Sequence, residues 1–193
     1  MIITFVILIS YLVGSIPFGL ILSKILKRND PRYTGSNNIG ATNVARISGW
    51  KVGLLTLLSD ILKGFFILEF FSSINNDFFL YSAVSVFLGH LFPVWIKFKG
   101  GKGIAVFIGI LSSLSYVYSI IFLSIWLIIA SLFKYSSLAA LVSTLVILFF
   151  IFFDENTSNF FLVTFITLMT FFKHRENIRR LYNKEEPKIN LKK

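Results

Sequence analysis

Apolar runs fill most of this chain, and the polar segments between them hold 18 of its 19 Lys and Arg residues. That sorting limits the possible folds more than any other feature. Long runs nearly free of charge suit a hydrocarbon solvent, where every backbone N–H and C=O must be satisfied within its own helix. Of the 193 residues, 55% are hydrophobic and 15% charged, against roughly a quarter charged in a soluble domain. The net charge is nonetheless +10. A nucleic-acid partner would favour positive charge but has no use for so much apolar sequence, and none is expected. The chain has no Cys, which excludes a disulfide scaffold, a thiol nucleophile and a zinc–thiolate site. Two His residues leave little for a metal cluster, so no metal and no cofactor are expected.

The positions of the basic residues set the topology. Six lie between Lys24 and Lys51, three more are Lys97, Lys99 and Lys102, Lys134 stands alone, and eight follow from Lys173 to the end. Only Lys63 sits inside an apolar run. Two other polar breaks, 72–77 and 154–159, hold acids (Asp77, Asp154, Glu155) and no base. Basic loops stay cytoplasmic during insertion. The reading is therefore an all-α, polytopic transmembrane bundle with its N-terminus outside and its C-terminus in the cytoplasm. Parity gives seven spans, at about 1–23, 52–71, 79–96, 103–113, 115–133, 137–153 and 158–173. The fourth and fifth are short arms turning near 112–115, because a single helix over 104–133 would leave its ends on opposite faces. Five spans, with 104–133 behaving differently, is the alternative. The first run lacks basic residues at its start and a small-residue cleavage site, so it reads as a retained helix and not a signal peptide. One integral-membrane domain over 1–193 is expected, with a solvated tail after Lys184.

Polar residues kept near a membrane call for an explanation. In Gly14-Ser-Ile-Pro-Phe-Gly19, Pro17 predicts a kink and the small residues permit close helix packing; packing alone explains them. The loop Thr34-Gly-Ser-Asn-Asn-Ile-Gly-Ala-Thr-Asn-Val-Ala-Arg46 gathers Ser36, Asn37, Asn38, Thr42 and Asn43 around Arg46. Positive φ at Gly35 and Gly40 would let successive N–H groups face one anion, and Arg46 can grip a phosphate with two parallel hydrogen bonds. An ordinary Asn-rich loop is the plainer explanation. Lys97-Phe-Lys-Gly-Gly-Lys-Gly103 feeds directly into an apolar run, so Gly100, Gly101, Lys102, Gly103 and a helix N-terminus converge as an anion site. It is not a nucleotide P-loop, since neither the Gly spacing nor a hydroxyl after Lys102 fits. The plainer alternative is a basic turn drawn to anionic lipid. Asp60 and Lys63 share a helix face and read as a structural ion pair. Glu69 and His90 also lie near apolar stretches, and His90 reads as a satisfied structural histidine. His174 and Asn177 share a face where the last span meets the cytoplasm and suit an anion binder or general base, as against a solvated basic helix end. Ser136 or Ser137 would cap the sixth span or add a hydroxyl. Parity places most of these groups on one membrane face.

Together these motifs resemble the bacterial acyl-phosphate:glycerol-3-phosphate acyltransferases. The resemblance rests on Gly35-Ser-Asn-Asn-Ile-Gly-Ala-Thr-Asn43 with Arg46, on Gly89-His-Leu-Phe-Pro-Val-Trp95, on Phe98-Lys-Gly-Gly-Lys-Gly103 and on His174-Arg-Glu-Asn-Ile178. Ser15-Ile-Pro-Phe-Gly19 and Asp60-Ile-Leu-Lys-Gly64 add further matches, in order, along nearly the whole chain. The resemblance implies transfer of a fatty acyl group from an acyl phosphate to the 1-hydroxyl of glycerol-3-phosphate. The products are lysophosphatidic acid and inorganic phosphate, the first step of phospholipid synthesis. It implies a seven-helix inner-membrane protein with a cytoplasmic active site, supplied by an upstream acyl-phosphate-forming enzyme.

Carried over residue by residue, the resemblance makes Ser36, Arg46 and His174 catalytic. It makes Asn38, Thr42, Gly100, Gly101, Lys102, Gly103, Ser137 and Asn177 ligands of substrate or phosphate. Asp60, Lys63 and Glu176 are expected to support the structure. Asn37 stands where the family usually has Gly, and Asn tolerates the left-handed region. An acyl phosphate is a mixed anhydride with a good leaving group, so direct attack by the glycerol hydroxyl needs donors for two anions and a base. His174 and the departing phosphate are the two candidates for that base. Other glycerophosphate acyltransferases carry a His followed five residues later by Asp. Here Trp95 follows His90 and Arg179 follows His174, which disfavours thioester donors. The competing function is a transporter or channel for a phosphate-bearing solute, which would need charge near the midplane and repeated halves. A non-catalytic scaffold would leave the Gly-Gly-Lys-Gly turn unexplained.

Overall fold

The computed structural model describes residues 1–154 and 156–189. Glu155 of the acidic break and tail residues 190–193 lie outside the described residues. All regular structure among the described residues is helical: α1 (Ile2–Gly14), α2 (Phe18–Ile25), α3 (Ala41–Ser48), α4 (Trp50–Ile74), α5 (Phe78–Leu91), α6 (Ile104–Leu114), α7 (Tyr116–Phe133), α8 (Ser136–Phe152), α9 (Thr157–Lys173) and α10 (Arg175–Tyr182), with a 3₁₀ turn over Val94–Ile96. They form two compact units that divide between Ser113 and Leu114.

In the first unit, α1 and α2 bend by 41° at the Pro17 break, as a helix-interior proline requires. Small residues let α1 lie against α5. A side chain on Gly14 would overlap the Val86 carbonyl, and one on Gly89 the Tyr11 carbonyl. The Tyr11 hydroxyl donates to the Phe92 carbonyl at 2.7 Å, locking α1 to the end of α5. Phe5 meets Phe71 edge to face, with ring centroids 6.5 Å apart. The N-terminus therefore shares one end of this unit with the 75–77 turn, while Lys24, Lys51 and Lys97 sit by helix ends at the other. The 25-residue α4 runs about 38 Å. It overruns the expected 52–71 at both ends, because Ser72 and Ser73 continue the helix and Asn75 ends it with extended backbone. The expected 79–96 span matches the apolar stretch Phe78–Ile96, within which α5 ends at Leu91, Phe92 turns out of helical geometry before Pro93, and the 3₁₀ turn carries the chain to Ile96.

The second unit is α7, α8 and α9 with the short α10. Buried in α7 are only Ser119 and Phe122, while Ile120, Leu127 and Leu132 are exposed. That is the reverse of a soluble amphipathic helix and suits a lipid-facing one. The Asn156 side chain caps α9 by accepting from the N–H groups of Ser158 and Asn159 at 3.0 and 3.3 Å. Phe149 against Phe153, 5.1 Å apart, and Phe152 against Phe160, 5.7 Å apart, cluster at the same end. Tyr118 reaches Asp154 there at 3.2 Å.

By length and composition, Phe78–Ile96 and Tyr116–Phe133 can each cross a bilayer, and the bent α1–α2 pair adds a third if it is one span. The apolar helices α6, α8 and α9 are shorter, at 11, 17 and 17 residues. The expected break at 112–115 falls at Ser115, whose backbone is extended.

Candidate active site

In the first unit, the 34–46 segment is not wholly a loop. Its second half is α3, which places Thr42 and Arg46 four residues apart on one helix face. Gly35 and Asn37 adopt positive φ, 69° and 53°, so Asn37 keeps the left-handed turn. Gly40 does not: at φ −73° and ψ 158° it is extended and starts α3. What shapes the segment is Asn43, buried and not singled out by sequence reasoning. Its Oδ1 accepts from the Ser36 N–H at 2.8 Å and, at 3.5 Å, from Arg46. Its Nδ2 donates to the carbonyls of Pro31, Thr34 and Asn38 at 2.9–3.1 Å. One amide thus ties the Ser36–Asn38 turn to the helix that carries Arg46. The other guanidinium donors of Arg46 bond nothing among the described residues, which suits an anion ligand.

The Gly-rich turn is held from beneath. Lys97 and Phe98 both take positive φ, 55° and 60°, and the Phe98 N–H returns to the Pro93 carbonyl at 3.0 Å. The Gly101 N–H donates to the His90 carbonyl at 3.1 Å, and a side chain on Gly101 would strike the His90 ring. Gly103, at φ 87°, packs on Phe87, and its carbonyl accepts the first α6 bond, from Phe107, at 2.8 Å. Only glycine meets both demands there. Lys102, half-buried, thus stands one residue before a helix N-terminus.

His90 joins that turn to a buried ion pair. Lys63 Nζ lies 2.7 Å from Asp60 Oδ1, donates to the Ile16 carbonyl left by the Pro17 break at 2.8 Å, and sits 3.1 Å from His90 Nδ1. An ammonium can only donate, so Nδ1 accepts. The expected Asp60–Lys63 pair and structural His90 are thus one network spanning α4, α5 and the α1–α2 break.

In the second unit, His174 is the junction between α9 and α10, and its Nδ1 lies 2.8 Å from the Thr170 carbonyl. A carbonyl only accepts, so Nδ1 carries the proton and the Nε2 of neutral His174 is the basic atom. Asn177, also buried, donates from Nδ2 to Glu186 Oε1 at 2.6 Å. Ser137 donates its hydroxyl to the same oxygen at 2.7 Å. Neither Ser136 nor Ser137 caps α8, whose N-cap is Tyr135. Two expectations change here. The tail is not solvated at Glu186, whose side chain is 7% exposed. Glu176 supports nothing beyond its own helix start: it is exposed in the first turn of α10 without a side-chain partner among the described residues. No cluster of metal-ligating side chains occurs among the described residues.

The fold is that of an all-helical protein of mostly apolar helices, with a glycine-rich turn leading into α6 and an Asn-held turn leading into α3. The family model for glycerol-3-phosphate acyltransferase matches residues 4–184, and the chain belongs to that family. It is 44% identical over 183 residues to a glycerol-3-phosphate acyltransferase of Pelagibacter ubique (strain HTCC1062), covering 94% of this chain and 95% of that one. To that of Rhodopseudomonas palustris (strain HaA2) it is 46% identical over 187 residues, covering 96% and 95%. Its backbone is similar to the crystal structure of PlsY (YgiH), an integral membrane glycerol 3-phosphate acyltransferase. Against the glycerol 3-phosphate form the TM-score is 0.92 at 35% identity, covering 98% of this chain and 96% of the other. Against the lysophosphatidic acid form it is 0.90 at 33%, covering 99% and 97%.

Proposed function

We propose that this protein transfers a fatty acyl group from an acyl phosphate to the 1-hydroxyl of glycerol-3-phosphate, releasing lysophosphatidic acid and inorganic phosphate. The observation that carries the reading is the near full-length match, in sequence and backbone, to an acyltransferase solved in its glycerol 3-phosphate and lysophosphatidic acid forms. Two units act as one acyltransferase domain, in keeping with a family match that runs through both. Arg46, Lys102 and the backbone N–H groups of Asn38, Gly100 and Gly103 are the donors for the two phosphates; those of Ser36, Asn37 and Gly101 are already spent on Asn43, Thr34 and His90. The donor phosphate leaves as the hydroxyl oxygen attacks, so the chemistry needs positioned cations and no acyl-enzyme. The Nδ1–H of His174, fixed on Thr170, favours His174 Nε2 as the base that takes the hydroxyl proton.

Seven spans, an outside N-terminus and a cytoplasmic active site in the inner membrane complete the proposal. Supporting it, the bases gather at one end of each unit and the opposite turn carries an acid and no base: Lys134 and Arg175 flank helix ends across from Asp154, as Lys24 and Lys97 do across from Asp77. An upstream enzyme that makes acyl phosphate is the implied supplier. The test is detergent-purified protein given palmitoyl phosphate and glycerol-3-phosphate. Lysophosphatidate is expected from the wild type, with a loss of about a hundredfold or more in Arg46→Ala and a comparable loss in His174→Ala. Inactivity of the wild type would refute the assignment; near-normal His174→Ala would refute His174 as base.

A further inference from the structure

Glu186 lies in a tail segment that composition marks as solvated, yet its carboxylate accepts from three different side chains. Oε1 accepts from Ser137 Oγ at 2.7 Å and from Asn177 Nδ2 at 2.6 Å, and Oε2 accepts from Arg180 Nε at 2.8 Å. The tail around it is stitched down. The Ile189 N–H donates to the Lys134 carbonyl at 2.7 Å, and Lys188 lies over the Tyr135 ring at 5.9 Å. A solvated tail has no reason to bury a carboxylate on two side chains that serve substrate.

We infer that Glu186 is a positioning residue for the acyl transfer, its carboxylate holding Ser137 and Asn177 in their working orientation with Arg180 as its countercharge. The inference rests on the function proposed above. Hydrogen-bond capacity sets what the clasp does. Ser137 has one proton, and Glu186 takes it. Ser137 therefore meets substrate through its lone pairs, accepting from a hydroxyl, and has no proton to give a phosphate. One N–H of Asn177 goes the same way, which fixes which end of the amide is turned from Glu186. Arg180, whose side chain is 31% exposed, completes the carboxylate's coordination. Burial alone would push the Glu186 carboxyl up, but its three donors outweigh burial and hold it below the usual carboxylate range. The clasp is thus ionised throughout the neutral range.

The test is kinetic coupling in full-length purified protein, with palmitoyl phosphate and glycerol-3-phosphate as substrates. Glu186→Ala and Glu186→Gln are expected to lower kcat/KM by about tenfold or more. The Gln form fails because its amide turns a donor toward Arg180. Ser137→Ala alone also lowers kcat/KM, and the Ser137→Ala, Glu186→Ala double variant should lie within about twofold of the worse single, because both remove one arrangement. Arg180→Ala moves kcat/KM the same way by less. Glu185→Gln, exposed and next in the chain, stays at wild-type rates. A staple needed only for stability would lower the thermal midpoint and leave kcat/KM of the folded fraction unchanged. That result, or losses that multiply in the double variant, would overturn the inference while the acyltransferase reading stands. An inactive wild type would instead overturn that reading, and this inference with it.

Discussion

Asn43 bonds five groups from a single amide, while Arg46 beside it keeps most of its donors. The division of labour follows from what each group can do. A neutral amide both donates and accepts, so it can knit backbone turns; a guanidinium only donates and is best spent on an anion. Replacing Asn43 with Ala should orphan the Pro31 and Asn38 carbonyls and the Ser36 N–H and destabilise the segment by about 3 kcal/mol. The expected readout is a rise in the glycerol-3-phosphate KM greater than the fall in kcat; an unchanged KM would contradict the role. Arg46 could be singled out from sequence because a lone cation among Asn and Gly residues implies an anion. Asn43 could not, since three Asn look alike until the backbone brings Pro31, Thr34 and Asn38 around one of them. Glu186 was hidden for the same reason: its partners lie 49, 9 and 6 residues away, and composition sees only a charged tail.

At the scale of elements, α4 shows how charge and hydrophobicity are reconciled. Every 18-residue stretch of it contains three of Lys51, Asp60, Lys63 and Glu69, yet Asp60 and Lys63 are buried as a pair. A buried pair contributes little net stability, but breaking it leaves an uncompensated charge. Lys63→Met should therefore cost about 3–5 kcal/mol, read as a lowered unfolding midpoint in detergent. Asp60→Leu combined with Lys63→Met should recover most of it; a double variant as unstable as the single would show that the Ile16 and His90 contacts, not the charge, matter. The pair was legible from i,i+3 spacing, as was the kink from Pro17. That the kink exposes the Ile16 carbonyl to Lys63, and that His90 then holds Gly101, depends on packing between helices 27 and 47 residues apart. The short α3 and the break at Phe92 within the 79–96 span were likewise missed, because Gly40 and Phe92 act through local backbone geometry rather than hydrophobic period.

At the scale of the molecule, the segregation of Lys and Arg that organises the sequence also describes each unit: bases gather at one end, and the turn at the other, at Asp77 or Asp154, holds no base among the described residues. The chain lacks Cys, so single cysteines report topology cleanly. Asp77→Cys should react with a membrane-impermeant maleimide in intact cells and Lys184→Cys only after lysis; the reverse pattern would contradict the proposed orientation. The central claim is the chemistry, and the most direct measurement is its stoichiometry and donor choice. Purified protein given glycerol-3-phosphate with palmitoyl phosphate is expected to form lysophosphatidate and inorganic phosphate one for one, and none with palmitoyl-CoA. Product from palmitoyl-CoA, or phosphate released without lysophosphatidate, would contradict the account.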